Sequence, residues 1–225
     1  MPAVQLSALG PMAQLRAGRL GRRVPQLLVG LWIYGTSMAM MIRSHLGLDP
    51  WDVFHAGVVS HLPLSFGTIV IIVGALVLLL WIPLRQAPGF GTIANVILIG
   101  IATDVSLAWI HTPRDVMVRA FLLIGGVALN GLAGALYIGA QLGPGPRDGL
   151  MTGIVARTGW PLRVVRTAIE VGVLVSGFCL GGTVGLGTLL YAVAIGPIVQ
   201  ELLPLVTVRL DVVEQSCEIP DAKPA

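Results

Sequence analysis

The chain has 225 residues, of which 55% are hydrophobic and 11% charged, with a mean hydropathy of +0.87 and a formal net charge of +3. Soluble domains carry about a quarter charged residues, so the polar side chains needed to coat a water-facing surface are missing and the bilayer is the solvent for most of the chain. The pI of 9.3 does not mark a nucleic-acid binder, because the 14 Lys and Arg are scattered with no aromatic-interleaved basic stretch.

The first 25 residues carry Arg16, Arg19, Arg22 and Arg23 and no acid. The apolar run that follows is too long for a signal peptide and lacks a small-x-small cleavage site, so residues 1–25 read as a cytoplasmic basic arm ahead of a retained helix. Six stretches are long and apolar enough to cross: 26–45, 65–84, 91–110, 119–141, 162–181 and 185–206. Residues 207–225 hold Asp211, Glu214, Glu218 and Asp221 and read as a cytoplasmic polar tail. Two pieces, 50–62 and 146–158, are too short to cross: as helices of 13 residues they reach about 20 Å against a hydrocarbon core of about 30 Å. They are expected to be re-entrant or interfacial.

These stretches repeat. At an offset of 96, residues 46–57 match 142–153 at Leu, Gly, Pro, Asp and Gly, and "GFGTIANVILIG" at 89–100 matches "GLGTLLYAVAIG" at 185–196 at five positions. Gly30 with Gly126 and Gly35 with Gly131 extend the register upstream, whereas "LPL" at 62–64 and "WPL" at 160–162 pair only after a shift of two. Three crossings per copy is an odd number, so the second copy (119–206) enters the membrane from the side opposite to the first (26–111). The expected fold is therefore an all-α polytopic membrane protein of about six transmembrane helices in two inverted three-helix repeats, each with a short re-entrant or interfacial helix. With the N-terminus in the cytoplasm, Arg16, Arg19, Arg22, Arg23, Arg85, Arg147, Arg157, Arg163, Arg166, Arg209 and Lys223 fall inside, and only Arg43, Arg114 and Arg119 fall outside. Both termini are then cytoplasmic.

The stretches "GLDPWDVFHAGV", "LPLSFGT", "GFGTIANVILIG", "LGPGPRDGLMTGI" and "RTAIEVGV" together resemble the YczE/YyaS/YitT family of bacterial integral membrane proteins over nearly all of 27–206. Asp49 departs from the family motif, which more often has Gly, and Arg147 takes the place of Trp51 in the second copy. The resemblance implies a polytopic protein of the bacterial inner membrane that transports an unnamed substrate.

In "DPWD", Asp49 caps a helix, Pro50 suits its first position and Asp52 falls at the third, near the positive end of the dipole; in "GPRD", Gly145 and Asp148 take the same places. These starts serve either as simple helix caps or as parts of a shared binding cavity. Arg163 and Arg166 open the fifth crossing and reach back to the cytoplasmic interface. Glu170, roughly 12 Å deep by helical rise, needs a partner, and Arg166 at i,i+4 is the nearest. The pair either fixes packing or carries a proton or substrate, or the crossing is tilted and Glu170 meets water. Asp104 aligns with Gln200 and Asn95 with Tyr191, as cavity residues or as interhelical glue; Asn130 and Gln141 read the same way. Candidate substrate-binding residues are thus Asp52, Asp148, Arg147, Arg166, Glu170, Asp104 and Gln200. His45, His55, His61 and His111 have no ligand spacing, Cys179 and Cys217 form no framework, and no HExxH, Walker loop or serine elbow occurs. Neither metal, cofactor nor enzymatic activity is expected. The leading reading is an inner-membrane transporter of a small molecule working by alternating access, with Glu170 as a coupling-proton site. The alternative is a non-transporting scaffold or accessory subunit with a protein partner.

Overall fold

A computed structural model describes residues 10–210, and these form nine helices and no strand. A short α1 (Pro11–Arg16) precedes α2 (Leu20–Ser44), α3 (Pro50–Val59), α4 (Phe66–Leu84) and α5 (Phe90–Trp109). The second set is α6 (Val116–Gly139), α7 (Pro146–Thr158), α8 (Leu162–Cys179) and α9 (Leu186–Val206). Helices α2, α4, α5, α6 and α9 have the length and apolarity to cross a membrane. The 18-residue α8, expected as a further crossing, carries Arg163, Arg166 and Glu170 in its first half, as many charged residues as the longer α2. Leu76 and Leu79 on α4, Phe121 on α6 and Leu189 and Val193 on α9 point outward, an apolar exterior suited to lipid.

Helix starts follow the sequence register throughout. Residues 20, 50, 66 and 90 begin α2 to α5, and 116, 146, 162 and 186 begin α6 to α9, each 96 later. The two-residue shift suggested by the loop sequences is absent, because the helix starts, set by caps and packing, hold register while the loop sequence drifts. The start of α2 lies inside the expected basic arm. Arg22 and Arg23 lower the local hydropathy, but Arg23 is wholly buried and belongs to the protein interior.

The core is the pair α2 and α6, packed together at the centre with α5 against α2 and α9 against α6. Both present a stripe at three- and four-residue spacing. Buried positions 27, 30, 31, 34, 37, 38 and 41 on α2 recur at 123, 126, 127, 130, 133, 134 and 137 on α6. Lipid tails are as apolar as leucine, so such helices associate through close packing and interhelical hydrogen bonds. Gly35 meets Ile99 and Ala102 of α5, and Gly131 meets Ile195 and Ile198 of α9, the same contact in the other half.

Other contacts are exchanged between halves. Gly91 N–H donates to Leu142 O (2.7 Å) and Gly187 N–H to Leu46 O (2.8 Å), so the strand of chain before each short helix docks on the start of the other half's last helix. Gly47 and Gly143, with φ of +121° and +128°, sit at these crossings, where a side chain would strike Gly185 and Thr188 or Gly89 and Thr92. Arg23 Nε and Nη2 donate to the Ala140 and Gln141 carbonyls at the end of α6 (2.8 and 2.7 Å). Arg119 Nε and Nη2 donate to Ser44 and His45 at the end of α2 (2.6 and 3.1 Å). Each guanidinium satisfies terminal carbonyls and faces the negative end of a helix dipole. The short helices cross over too: α3 packs on α8 and α7 on α4, where Trp81 Nε1 donates to Pro146 O (3.0 Å).

One correspondence fails. Helix α4 packs along α5, but no comparable packing joins α8 to α9. Gly67 of α4 and Gly100 of α5 lie backbone to backbone, while Gly196, the counterpart of Gly100, has open space where a side chain would stand. Asp104 seals the closed seam, accepting from Ser65 Oγ (2.5 Å) and from Gly67 N–H (2.7 Å) at the start of α4.

Candidate functional site

Asp49 Oδ1 accepts from the Trp51 and Asp52 N–H groups (2.9 Å each), which starts α3 as its sequence requires; Pro146 and Asp148 take the first and third positions of α7 after Gly145. Such a cap is worth about 1 kcal/mol. The two helix starts, brought in from opposite halves, flank one central group of side chains.

Two cavities meet there. The larger, of about 290 Å³, lies between α6, α7, α8 and α9 and includes Asn130, Asp148, Arg166, Glu170, Tyr191 and Gln200 in its wall. The smaller, of about 90 Å³, lies between α2, α3, α4 and α5 and includes Asp49, Asp52, His55 and Asn95. Tyr34, Trp51, Tyr137 and Arg147 line both. The larger cavity occupies the gap left by the parted α8 and α9, and the smaller one sits behind the closed α4–α5 seam.

Arg147 stands at the junction. Its Nη2 donates to Tyr34 Oη (2.6 Å), its guanidinium lies 6.0 Å from the Tyr34 ring centroid, and the Tyr191 phenol is beside it. It forms no ion pair among the described residues. Tyr137 Oη donates to Asp148 Oδ2 (2.7 Å), and Tyr191 Oη to Asn130 Oδ1 (3.2 Å). Asn130 in turn donates to Ser37 Oγ (2.9 Å), which ties α2, α6 and α9 together, the interhelical role open to it from sequence. On the other side, Asp52 Oδ1 lies 3.1 Å from His55 Nδ1. Asp52 Oδ2 and Trp51 Nε1 are buried without a hydrogen-bond partner.

The structure brings together Asp52, Asp148, Arg147, Arg166, Glu170 and Gln200 around the two cavities, and leaves Asp104 away from both, at the α4–α5 seam. Arg166 Nε and Glu170 Oε1 form the expected i,i+4 pair at 3.0 Å, but their side chains are 56% and 35% exposed. Glu170 is therefore at a cavity wall and not sealed in the protein, because α9 does not cover α8. Sequence reasoning reached Tyr191 through its alignment with Asn95 and missed Tyr34 and Tyr137. The chain has three tyrosines, and all three line the larger cavity. That scarcity in so apolar a sequence was the available signal.

A family of unknown function, DUF6198, matches residues 21–203. The chain belongs to this family. It is 37% identical over 180 residues to an uncharacterized protein of Haemophilus influenzae, covering 80% of this chain and 83% of that protein. It is 34% identical over 178 residues to the uncharacterized membrane protein YczE of Bacillus subtilis, covering 78% and 82%. A third relative, YyaS of Bacillus subtilis, is 24% identical over 185 residues, covering 79% and 90%. The YczE and YyaS resemblance read from the motifs is thus borne out. No solved structure matches significantly. The family and its apolar helices make this a multi-pass membrane protein in contact with the lipid bilayer.

Proposed function

We propose that this protein is a transporter of a small molecule in the bacterial inner membrane, working by alternating access between two inverted repeats, with both termini in the cytoplasm. The observation that carries this reading is the unequal state of two matched seams: α4 and α5 are closed and latched by Asp104, while α8 and α9 are parted. A duplicated architecture with exchanged contacts, such as Arg23 on α6 and Arg119 on α2, fits a pseudo-two-fold relation. In a pair so related, one seam open and one closed is an access state, and exchanging their conformations yields the opposite state. The basic residues Arg147, Arg157, Arg163 and Arg166 support a cytoplasmic orientation of the open α8–α9 side.

The test uses single cysteines in a background lacking Cys179 and Cys217. Val199 lines the larger cavity and Val73 the smaller. A membrane-impermeant maleimide should label Val199→Cys from the cytoplasmic side and Val73→Cys from the periplasmic side, with labelling of one falling whenever the other is favoured. Labelling of both positions from one side only would end the alternating-access reading and favour a static scaffold.

A further inference from the structure

We infer that Arg147 receives the oxyanion of the transported molecule, and that this molecule is a small organic acid bearing a hydrogen-bond donor, hydroxyl or amino, that reaches Asp52. The inference rests on the transporter reading above and names its substrate class.

Polar groups left over at the cavity junction define the ligand. The acids have partners of their own: Glu170 has Arg166, Asp148 has the Tyr137 hydroxyl, and Asp49 has two backbone N–H groups. Arg147 has neutral hydrogen-bond partners, the Tyr34 hydroxyl and the Tyr191 phenol; the carboxylates of Asp49, Asp52 and Asp148 are within electrostatic reach, but none forms a direct ion pair with it. Tyr34 and Tyr191 engage part of the guanidinium, which has five N–H donors and lines both cavities, so donors remain for a ligand there. A planar fork of this kind matches a carboxylate in two parallel hydrogen bonds. Trp51, which lines the same two cavities, holds a buried indole N–H with no acceptor, a further donor for the same oxyanion.

Asp52 supplies the opposite end. It is 1% exposed, its Oδ1 is engaged by His55, and its Oδ2 lines no hydrogen bond at all. A buried acceptor without a donor is rare in folded proteins and is expensive to maintain. Here it faces the smaller cavity, which also receives Arg147. The site therefore presents donors at one end and an open acceptor at the other. Sites of that design reject analogues that lack the matching group, because an analogue bound without it leaves the site's polar atom buried and unpaired.

The full-length protein in detergent would be titrated with lactate, alanine, propionate and inorganic phosphate, reading thermal stability and equilibrium dialysis of the labelled compounds. Lactate or alanine should bind; propionate, which lacks the donor, should bind at least about tenfold more weakly. Arg147→Gln should abolish binding, and Arg147→Lys, which keeps the charge and loses the fork, should weaken it about tenfold. Asp52→Ala, which removes the acceptor, should erase the preference for lactate or alanine over propionate. Tyr34→Phe, a smaller change, should weaken binding while the protein keeps its parent melting temperature, which guards against loss of folding in the arginine variants. If phosphate binds and the organic acids do not, or if the arginine variants bind as the parent does, or if none of the four binds, the proposal is overturned. Anion binding that needs Arg147 without counterflow in liposomes would overturn transport and keep the site. Reciprocal cysteine labelling without anion binding would overturn the site and keep transport.

Discussion

Gly100→Leu should open the seam that this structure keeps shut. A Cβ at Gly100 would stand 2.5 Å from the Gly67 carbonyl oxygen and 2.6 Å from Ile71 Cγ1. Contacts between heavy atoms are comfortable only near 3.5–4.0 Å, and one of the two obstacles is backbone, which cannot rotate away. Overpacking of this kind costs about 1–3 kcal/mol. The cost falls on the closed α4–α5 arrangement alone, so the ratio of the two access states should move about 5- to 150-fold toward the one in which α4 and α5 part. Parting would also detach Asp104 from Ser65 and Gly67, exposing the start of α4. The assay is maleimide labelling: Val73→Cys should react faster from the periplasmic side, and Val199→Cys more slowly from the cytoplasmic side. Gly196→Leu is the matched control, since nothing lies within 4 Å of a Cβ there. It should cost nothing in the present state, obstruct closure of α8 on α9, and leave Val199→Cys reactive from the cytoplasm. If the two leucines shift the two labels in the same direction, or Gly100→Leu shifts neither, the idea of two seams in exchange is wrong.

Arg23→Ala removes four hydrogen bonds from a wholly buried side chain, two of them to the last carbonyls of α6, and should lower the unfolding free energy by at least about 3 kcal/mol in a detergent unfolding titration. Arg119→Ala, which loses two bonds from a half-buried position, should cost about half as much; equal losses would contradict this ranking. Glu170→Gln should change stability by less than about 1 kcal/mol, because its pair with Arg166 is part-exposed and lies within one helix; a larger loss would make the pair a packing element. Gly149→Ala should set a methyl group against the Trp81 ring and disturb the bond from Trp81 Nε1 to Pro146, lowering the melting temperature and blue-shifting or broadening tryptophan emission, whereas unchanged melting would show that α7 has room to slide on α4.

Much of the frame was legible because it is written twice. The offset of 96 holds for every helix start from Leu20 to Leu186, although the first crossing was expected from 26 and the fourth from 119; Asp49, Pro50 and Gly145 began the short helices where local chemistry put them. Arg23 and Arg119 share the offset and could have been paired, but their partners are backbone carbonyls, and carbonyls leave no trace in residue types. The candidate site was half legible. Arg147, Asp52, Asp148 and Tyr191 were reachable from the repeat, while Tyr34 and Tyr137 come from two helices that meet only in the packed bundle. Glu170 shows the limit most directly: depth along a helix predicted enclosure, yet enclosure depends on whether α9 covers α8, and that is a matter of conformation.

The seams also differ in what they can become. Closing α4 on α5 sets Gly67 against Gly100, two residues without side chains, and adds the Asp104 latch to the N–H of Gly67. The matching positions on α8 and α9 are Arg163, Gly196 and Gln200. An arginine in place of glycine keeps the backbones further apart, and a neutral amide in place of a carboxylate forms a weaker bond to a helix start, about half the strength of the charged one. On the alternating-access proposal, the α8–α9 seam would therefore close less tightly than the α4–α5 seam. If the two seams exchange as proposed, that inequality favours a closed α4–α5 face and an open α8–α9 face, the arrangement observed. Restoring the balance with Arg163→Gly and Gln200→Asp together should move Val199→Cys toward protection, and a fully labelled Val199→Cys in that double variant would rule out the seams as the source of the bias.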